Sequence, residues 1–367
     1  MPLFATSANL FVKPARSPDS PKRRRTHRRD PQVNENYDVV VVGGGAAGLS
    51  GAVALARSRR SVLVVDAGEP RNAPAGHVHN YLARESTPPA ELLAIGREEV
   101  LGYGGEVVRG EVTSAAALDG GGFAVGLGDG RTTQARRLLV ATGLVDELPE
   151  VAGVAERWGR DVLHCPYCHG WEARDRAIGV LATNPMAVHQ ALVWRQLTDD
   201  VVVFSHTAAE FDAEQLDQLA ARGIRVVAGE VAALRVEGDQ LTGVELASGE
   251  VVAREFVVVA PRFTARAGVL EQLGLEPVET VVGGQVIGST VPADPTGATE
   301  VPGVWVAGNV ADLKAQVVIS AAAGLTAGSM INADLVAEDV RRAQSRFSHE
   351  VEREVAALVG GPDRHGV

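Results

Sequence analysis

The fold is decided by Tyr37-Asp38-Val39-Val40-Val41-Val42-Gly43-Gly44-Gly45-Ala46-Ala47-Gly48. Its first half is an apolar, β-branched run typical of a buried strand, and its second half is a G-x-G-x-x-G turn. A helix-forming stretch of small residues follows at 49–56, and a second apolar strand over 61–65 ends at Asp66. This order of strand, glycine turn, helix, strand and acid predicts a βαβ unit that binds a dinucleotide.

Each glycine of the turn has a predicted task. Gly43 permits the tight turn, Gly45 lets the backbone approach a pyrophosphate, and Gly48 lets helix and strand pack closely. The helix that begins at Ala46-Ala47 offers free N–H groups to phosphates, and Asp66 is placed to accept hydrogen bonds from the adenosine ribose. The alternative is a tight turn without a ligand, and the register of the whole unit favours the dinucleotide.

The composition is that of a soluble, glycine-rich globular protein of about two domains, because 46% of its 367 residues are hydrophobic and 41 are glycine. No stretch reaches the ~18 consecutive apolar residues of a membrane-spanning helix. No apolar segment typical of an export signal follows the N-terminal arginines. Only two cysteines are present, which excludes a disulfide-stapled secreted scaffold. We therefore expect a cytoplasmic protein without a membrane segment.

The net charge of −11 is unevenly distributed. Residues 1–30 have a net charge of +6, whereas the remainder of the chain has −17. An acidic body is a poor surface for nucleic acid, so we expect no nucleic-acid partner. The basic arm, residues 1–35, is rich in Pro and Ser, and we expect it to be an unstructured, solvated tail. Binding of the arm to an anionic surface is the alternative.

Further strands and helices alternate along the chain. Residues 137–143 predict a buried strand with a glycine turn, and 303–309 predict another, followed by a small-residue helix over 316–335. A charged amphipathic helix and a Gly/Pro-containing tail are predicted over 337–367. The alternation favours an α/β fold with parallel sheets, and the middle of the chain adds a strand, a helix and a strand at 178–181, 187–197 and 201–204.

Both cysteines lie in His164-Cys165-Pro166-Tyr167-Cys168-His169-Gly170. A C-x-x-C pair at a helix start can open and close a disulfide, with one thiolate stabilised by the helix and a neighbouring imidazolium. Three alternatives remain: a zinc site, which lacks two further ligands at suitable spacing, a c-type haem attachment, which lacks an export signal, and inert buried cysteines. The pattern favours a redox-active pair and no metal.

The order of these segments resembles the low-molecular-weight thioredoxin reductases, FAD-dependent pyridine nucleotide-disulfide oxidoreductases. The resemblance rests on the glycine turn, Ala141-Thr142-Gly143, the C-x-x-C and Gly303-Val304-Trp305-Val306-Ala307-Gly308-Asn309, and spans about 36–340. It implies an α/β fold with two Rossmann-like domains, one inserted in the other. The implied divisions are the basic arm at 1–35, the FAD-binding domain at 36–150 and 266–340, the inserted NADPH-domain-like C-x-x-C domain at 151–265, and a C-terminal helix and tail at 341–367.

The resemblance also implies the residues of an FAD site. Cys168 would face the flavin, whereas Cys165 would meet the substrate. The ADP half would be held by the glycine turn and Asp66, with further cofactor contacts from Asn80, Val112, Ala141, Thr142, Gly143, Gly308, Asn309, Gln316 and Val317.

Two stretches depart from the thioredoxin reductase pattern. That family has a second glycine fingerprint for NADPH in the inserted domain, but here the equivalent stretch is Ala182-Thr183-Asn184-Pro185-Met186-Ala187. All three glycines are absent, and Pro185 offers no N–H. After the next strand, 204–210 contains an acid and no arginine to pair with a 2′-phosphate. We therefore expect the inserted domain to persist as a scaffold for the cysteines without binding NADPH.

Three side chains near the predicted redox centre also matter. His169 stands where the family usually has an acid, and a histidine suits a base that deprotonates incoming thiols. His164 is a second candidate for proton transfer, and for both histidines a purely structural role is the alternative. Asn309 replaces the usual Asp near the ribityl chain, keeping the hydrogen-bonding shape but removing a charge.

C-P-x-C-H-G with a degraded NADPH site looks like the dithiol oxidase branch, which closes disulfides in holomycin-type and gliotoxin-type compounds. The resemblance implies a small-molecule dithiol substrate, O2 as acceptor, peroxide as product and a homodimer. Residues 71–85, with His77 and His79, are predicted to line the substrate pocket. The alternatives are a reductase of a thioredoxin-like protein, fed by NADPH, ferredoxin or a flavoprotein, and a redox-sensing flavoprotein without turnover.

Overall fold

The computed structural model describes residues 33–208 and 210–359. The predicted basic arm, except for its last three residues, and the end of the predicted C-terminal tail lie outside these residues. The helices are α1 Ala46–Arg57, α2 Pro89–Gly102, α3 Val154–Arg157, α4 Pro166–His169, α5 Ala187–Trp194, α6 Ala213–Ala221, α7 Gly268–Glu271 and α8 Val317–Val359, with one 3-10 turn at Gly308–Val310. The strands are β1 Asn36–Val42, β2 Val62–Asp66, β3 Glu106–Arg109, β4 Val112–Ala117, β5 Phe123–Leu127, β6 Thr132–Val140, β7 Leu144–Glu147, β8 Val162–Leu163, β9 Ile178–Leu181, β10 Val201–Phe204, β11 Arg225–Val227, β12 Val231–Glu237, β13 Gln240–Leu246, β14 Val251–Ala253, β15 Phe256–Val258, β16 Arg262–Ala265, β17 Val278–Val282, β18 Gln285–Thr290 and β19 Val304–Val306.

The first sheet has the order β3-β2-β1-β6-β5-β4, with β19 added alongside β6. Strand β1 lies between β2 and β6, parallel to both, and Val39 to Val41 are fully buried. An apolar run without polar alternation is what a strand covered on both faces requires. Because β19 pairs with β6, the late segment of the chain returns to the sheet of the first segment. The α/β fold is confirmed, although β4 and β5 add antiparallel pairs that the sequence did not predict.

A second, five-stranded parallel sheet has the order β11-β10-β9-β15-β8. Strands β9 and β10 have the bounds predicted from the sequence, whereas α5 ends at Trp194 rather than at residue 197. The cysteine segment follows β8, at the carboxyl end of this sheet. The antiparallel sheet of β12, β13 and β14 was not predicted, because its strands alternate apolar and polar residues only in part.

A four-stranded sheet, with the order β17-β18-β16-β7, connects the two halves of the molecule. Strands β7 and β16 pair antiparallel, with Arg262 opposite Glu147. The chain passes into the inserted region just after β7 and leaves it at β16, so both crossings lie side by side. The predicted divisions at 150/151 and 265/266 fall just beyond these strands.

Helix α8 is one continuous element of 43 residues, not the two helices expected from the sequence. Its first half packs closely on α1, since a Cβ on Gly324 would lie 1.9 Å from the carbonyl oxygen of Ala47. The helix continues past residue 335 because Glu338 pairs with Arg137 (2.7 Å) and Asp339 with Arg60 (2.7 Å). By length and composition alone, α8 is the one described helix that could cross a membrane. Its buried Ile331 and Leu335 belong to the core of the first sheet, as in a core helix of a globular protein.

Candidate active site

One cavity of about 1400 Å³ joins the carboxyl ends of both parallel sheets. It is lined by the glycine turn after β1, by the cysteine pair, by strands of the connecting sheet and by the loop before α8. Ligand pockets for drug-sized molecules are about 300–1,000 Å³. The cavity is therefore large enough for a dinucleotide together with a small substrate.

The glycine turn has the geometry that the fingerprint predicts. Gly43 has a φ of +103°, and a Cβ there would lie 2.5 Å from the carbonyl oxygen of Ala141. A Cβ on Gly48 would lie 1.9 Å from the carbonyl oxygen of Gly43, so only glycine lets α1 approach β1 this closely. A Cβ on Gly45, in contrast, would meet no atom within 4 Å, because this residue borders open space at the start of α1. The residues present thus fit a pyrophosphate at this helix N-terminus.

Asp66 lies at the end of β2, where its carboxylate packs on the glycine turn. A Cβ on Gly44 would lie 2.5 Å from Cγ of Asp66, and Arg97 lies 3.5 Å from its Oδ2. Gly44 was missed as a functional residue, although its position as the middle glycine of a triplet was a signal. A side chain at Gly44 would displace the carboxylate that is predicted to bind ribose.

The other predicted cofactor residues, far apart in sequence, meet around the same cavity, with one exception. Asn80 does not line it. Its Nδ2 instead donates to the carbonyl oxygen of Tyr167 at 2.6 Å, so it fixes the cysteine segment. The residues that do line the cavity are Ala46, Ala47, Val112, Ala141, Thr142, Gly143, Gly308, Asn309, Gln316 and Val317.

The contacts of Asn309 explain why this position has an amide side chain and not a carboxylate. Its Nδ2 donates to the carbonyl oxygens of Asp312 (2.9 Å) and Ala315 (3.0 Å), and its Oδ1 accepts from Arg71 (3.3 Å). A carboxylate could not donate to two carbonyls. Arg71 in turn forms a two-pronged ion pair with Asp146, at 2.6 and 2.7 Å. Arg71 begins the stretch 71–85 that was predicted to line the substrate pocket, but its pairing with Asp146 was not predicted, because the partners are 75 residues apart.

Cys165 and Cys168 are joined by a disulfide, with their Cα atoms 5.3 Å apart. Cys165 caps the start of the single helical turn α4 and Cys168 lies within it, and the amides of Cys168 and His169 both donate to the carbonyl oxygen of Cys165 at 3.2 Å. Both cysteines line the cavity, as a redox pair that exchanges electrons with a bound group requires. In the described part of the chain, no cluster of three or more His, Cys, Asp or Glu has the arrangement of a metal site.

His169 lies directly after the pair and also lines the cavity. Its Nε2 is buried and has no hydrogen-bond partner among the described residues. Burial lowers the pKa of His169, and the nearby ring of His79 adds to that effect. His79 is itself held by Glu85 (2.5 Å) and lies 3.4 Å from Glu172. His169 is therefore a neutral imidazole near neutral pH, with one nitrogen available to a thiol or a ligand.

His164 has its ring fixed on the other side of the pair. Its Nδ1 lies 2.9 Å from the carbonyl oxygen of Val259, which requires the proton on Nδ1. Gln190 also contacts Nδ1 at 3.2 Å, and the ring of Phe263 meets the imidazole edge-on with centroids 5.1 Å apart. Burial lowers the pKa of His164, and the charge of Arg71 acts in the same direction. Nε2 thus remains unprotonated, and His164 is among the residues that line the cavity.

At the turn after β9, where a second nucleotide would bind, several groups are engaged by contacts within the protein. Oδ1 of Asn184 accepts from the amide of Met186 (2.9 Å), so an N–H at the start of α5 is already used. Pro185 packs against Gly283 in the β17–β18 turn. A Cβ built on Gly283 would lie only 3.0 Å from the Cβ of Pro185. After β10, Nδ1 of His206 accepts from the amide of Val231 at 3.0 Å. The groups expected to face a nucleotide are engaged elsewhere.

Comparisons with known proteins agree with this architecture. Residues 37–325 match the family described as pyridine nucleotide-disulphide oxidoreductase. Thioredoxin reductase sirT of Leptosphaeria maculans is 31% identical, over 85% of this chain and 98% of its own length. The crystal structure of HlmI has a TM-score of 0.80 and 46% identity, covering 88% of this chain and all of HlmI. An oxidoreductase from Agrobacterium tumefaciens has a TM-score of 0.76 and 37% identity, covering 82% of this chain and 99% of its own.

The chain belongs to the pyridine nucleotide-disulphide oxidoreductase family. Within that family it is a flavin-dependent, thioredoxin reductase-like oxidoreductase. Its similarity to HlmI and to the sirT protein agrees with the branch that the sequence resemblance indicated.

Proposed function

We propose that this protein is an FAD-dependent dithiol oxidase that closes an intramolecular disulfide in a small-molecule dithiol, uses O2 as acceptor and does not use NADPH. The observation that carries the proposal is the turn after β9, where contacts within the protein engage groups that a second nucleotide would meet. Asn184 satisfies the amide at the start of α5, and Pro185 is covered by the β17–β18 turn. A disulfide that is not supplied with electrons by NADPH would be suited to receive them from a dithiol.

FAD is the cofactor that the cavity fits. The glycine turn and Asp66 would hold its ADP half, and Asn309, Gln316 and Val317 would lie at its flavin end. When bound, FAD supplies the two-electron chemistry that returns the reduced cysteines to a disulfide and delivers the electrons to O2, releasing H2O2.

The cysteines of this chain carry out the exchange with the substrate. One substrate thiolate attacks Sγ of Cys165, which breaks the protein disulfide and leaves Cys168 as a thiolate. The second substrate thiolate then attacks the substrate sulfur of this mixed disulfide, releasing Cys165 and the cyclic product. The substrate loses two electrons and two protons, and the protein pair gains the two electrons.

His164 and His169 accept the protons that the substrate thiols release in this exchange. His169 is neutral near pH 7 because burial lowers its pKa, so it accepts a proton from an incoming thiol. His164, with its proton fixed on Nδ1 by Val259, presents a second basic nitrogen. We propose that the reaction takes place in the cytoplasm, where small thiols are kept reduced.

A thioredoxin-like protein as the substrate is the second candidate, and one observation favours it. Tyr167 and Trp171, next to the cysteines, are 67% and 68% exposed. Exposed aromatic side chains are typical of protein-binding surfaces. In this version the enzyme would reduce its partner, with electrons from NADPH, ferredoxin or another flavoprotein.

Aerobic turnover with a small dithiol tests the proposal. We expect one O2 consumed and one H2O2 released for each disulfide formed, with no requirement for NADPH. The Cys168→Ser variant should bind the cofactor as the wild type does but lose turnover. Oxidation that continues at the wild-type rate in this variant would remove the cysteine pair from the reaction.

A further inference from the structure

A ring of contacts encloses the part of the cavity beside the disulfide. His164, next to Cys165, contacts Gln190 of α5 at 3.2 Å. At the start of α5, Pro185 contacts the β17–β18 turn at Gly283. Strand β18 pairs with β16, and Phe263 of β16 returns to His164 with ring centroids 5.1 Å apart. The ring closes on itself, and its members come from both halves of the molecule.

The walls of this enclosure are mainly apolar. Met186 and Val193 line the cavity from α5, and Val282 and Ile287 line it from β17 and β18. The loop before α8 adds a further wall, because Leu313 lies 3.0 Å from a Cβ built on Gly288 of β18. A surface of this kind favours a small, largely apolar ligand over a dinucleotide with its charged phosphates.

One positive charge at this wall has no ion-pair partner. Lys314 follows Leu313, lines the cavity and makes no ion pair among the described residues. It is also the only lysine in the part of the chain that the structure describes. Of the two arginines that line the cavity, Arg71 is paired with Asp146, whereas Arg266 lies beside Gly143 at the cofactor end, where its backbone amide donates to the Gly143 carbonyl oxygen.

We infer that this enclosure is the dithiol-binding chamber, and that Lys314 binds a carboxylate or similar anionic group on an otherwise apolar dithiol. The inference rests on the proposed function, which it deepens by naming the substrate class. The segment at 182–187, which would bind NADPH in a reductase, here forms part of the wall of the substrate chamber. The disulfide and Lys314 both line the cavity, and the proposed substrate would have to reach both.

The test uses two dithiols that differ only in charge, dihydrolipoate and dihydrolipoamide. For dihydrolipoate, Lys314→Met should raise KM about tenfold, whereas Lys314→Arg should retain most of the wild-type value. For dihydrolipoamide, KM should change by less than a factor of two. Arg225→Met removes an exposed positive charge outside the cavity and should affect neither substrate. An equal change for both dithiols in Lys314→Met would overturn the inference.

A binding measurement keeps this inference separate from the proposed function. Calorimetric titration with oxidised lipoate and lipoamide needs no turnover, and we expect lipoate to bind more tightly to the wild type but not to Lys314→Met. If the wild type oxidises neither dithiol yet shows this difference, the oxidase proposal fails and the chamber stands. If the wild type oxidises both but binds both equally, the assignment of Lys314 fails alone.

Discussion

The two histidines beside the disulfide differ in how their ring nitrogens are used. In His164, Nδ1 is held by the carbonyl of Val259. In His169, Nε2 is buried without a partner among the described residues, which costs about 1–3 kcal/mol unless a ligand or thiol satisfies it. The cost is consistent with a residue kept for proton transfer rather than for stability. His169 is therefore the stronger candidate for the base that accepts the thiol proton.

Replacing His169 by Asn should lower kcat/KM for dithiols by about 10²–10⁴-fold, the range of general-base catalysis. A histidine whose pKa is lowered is neutral at all pH values above that pKa. The wild type should therefore keep its activity through pH 7 and lose it only below about 6.5, the ordinary pKa of histidine.

The pH profile of kcat/KM checks this assignment. In His169→Asn the acidic limb should disappear, and added imidazole should restore part of the rate. An unchanged acidic limb in the variant would assign the titration to another group.

At the level of single residues, the sequence predicted the features that depend on short stretches of consecutive residues. The βαβ unit follows from consecutive residues, and Gly43, Gly48 and Asp66 lie where the fingerprint requires them. Contacts between distant segments left no such signal. The pair of Arg71 with Asp146 is one example, and the place of Gln190 against His164 is another.

Among the elements, α8 shows the same difference between local patterns, which could be predicted, and contacts between distant segments, which could not. Its first half was predicted from its small residues, which indicated a closely packed neighbour, and α1 is that neighbour. The second half was predicted as a separate charged helix, and its continuity with the first was not predicted, because Glu338 and Asp339 pair with arginines far earlier in the chain. The hairpin β17–β18 was missed as well, since neither strand alternates clearly.

The outer half of α8 has an apolar stripe that no described residue covers. The stripe follows helical spacing, and Phe347 at its centre is 69% exposed. Its members are Val336, Val340, Phe347, Val351 and Val355. Arg346 and Glu350 beside it make no ion pair among the described residues. An antiparallel second copy, centred near Ser348, would place Arg346 of one copy opposite Glu350 of the other. We propose that the protein is a homodimer that uses this stripe.

Phe347→Glu should convert the dimer to a monomer, because a charge in the centre of the stripe repels its own copy and cannot pack. Light scattering should give twice the chain mass of 38.4 kDa for the wild type and the single mass for the variant. Ser345→Glu adds the same charge two residues away, on the opposite face of the helix, and should remain dimeric. A wild type that is monomeric at micromolar concentration contradicts the proposal, and binding of monomers to lipid vesicles would assign the stripe to a membrane surface instead.

For the whole molecule, several contacts join the two halves around the cysteine segment and the start of α5. Asn80 donates to Tyr167, His79 lies near Glu172, and Pro185 packs on the β17–β18 turn. The arrangement keeps the cysteines at the cavity while the start of α5 is covered. The central claim is thus that electrons enter from a dithiol and not from NADPH.

Anaerobic titration of the purified flavoprotein, followed by the visible flavin absorbance, tests this claim most directly. We predict that excess NADPH leaves the absorbance unchanged and that a small dithiol then bleaches it in the wild type but not in Cys168→Ser. Bleaching by NADPH at physiological concentration, in the absence of any dithiol, would contradict the claim.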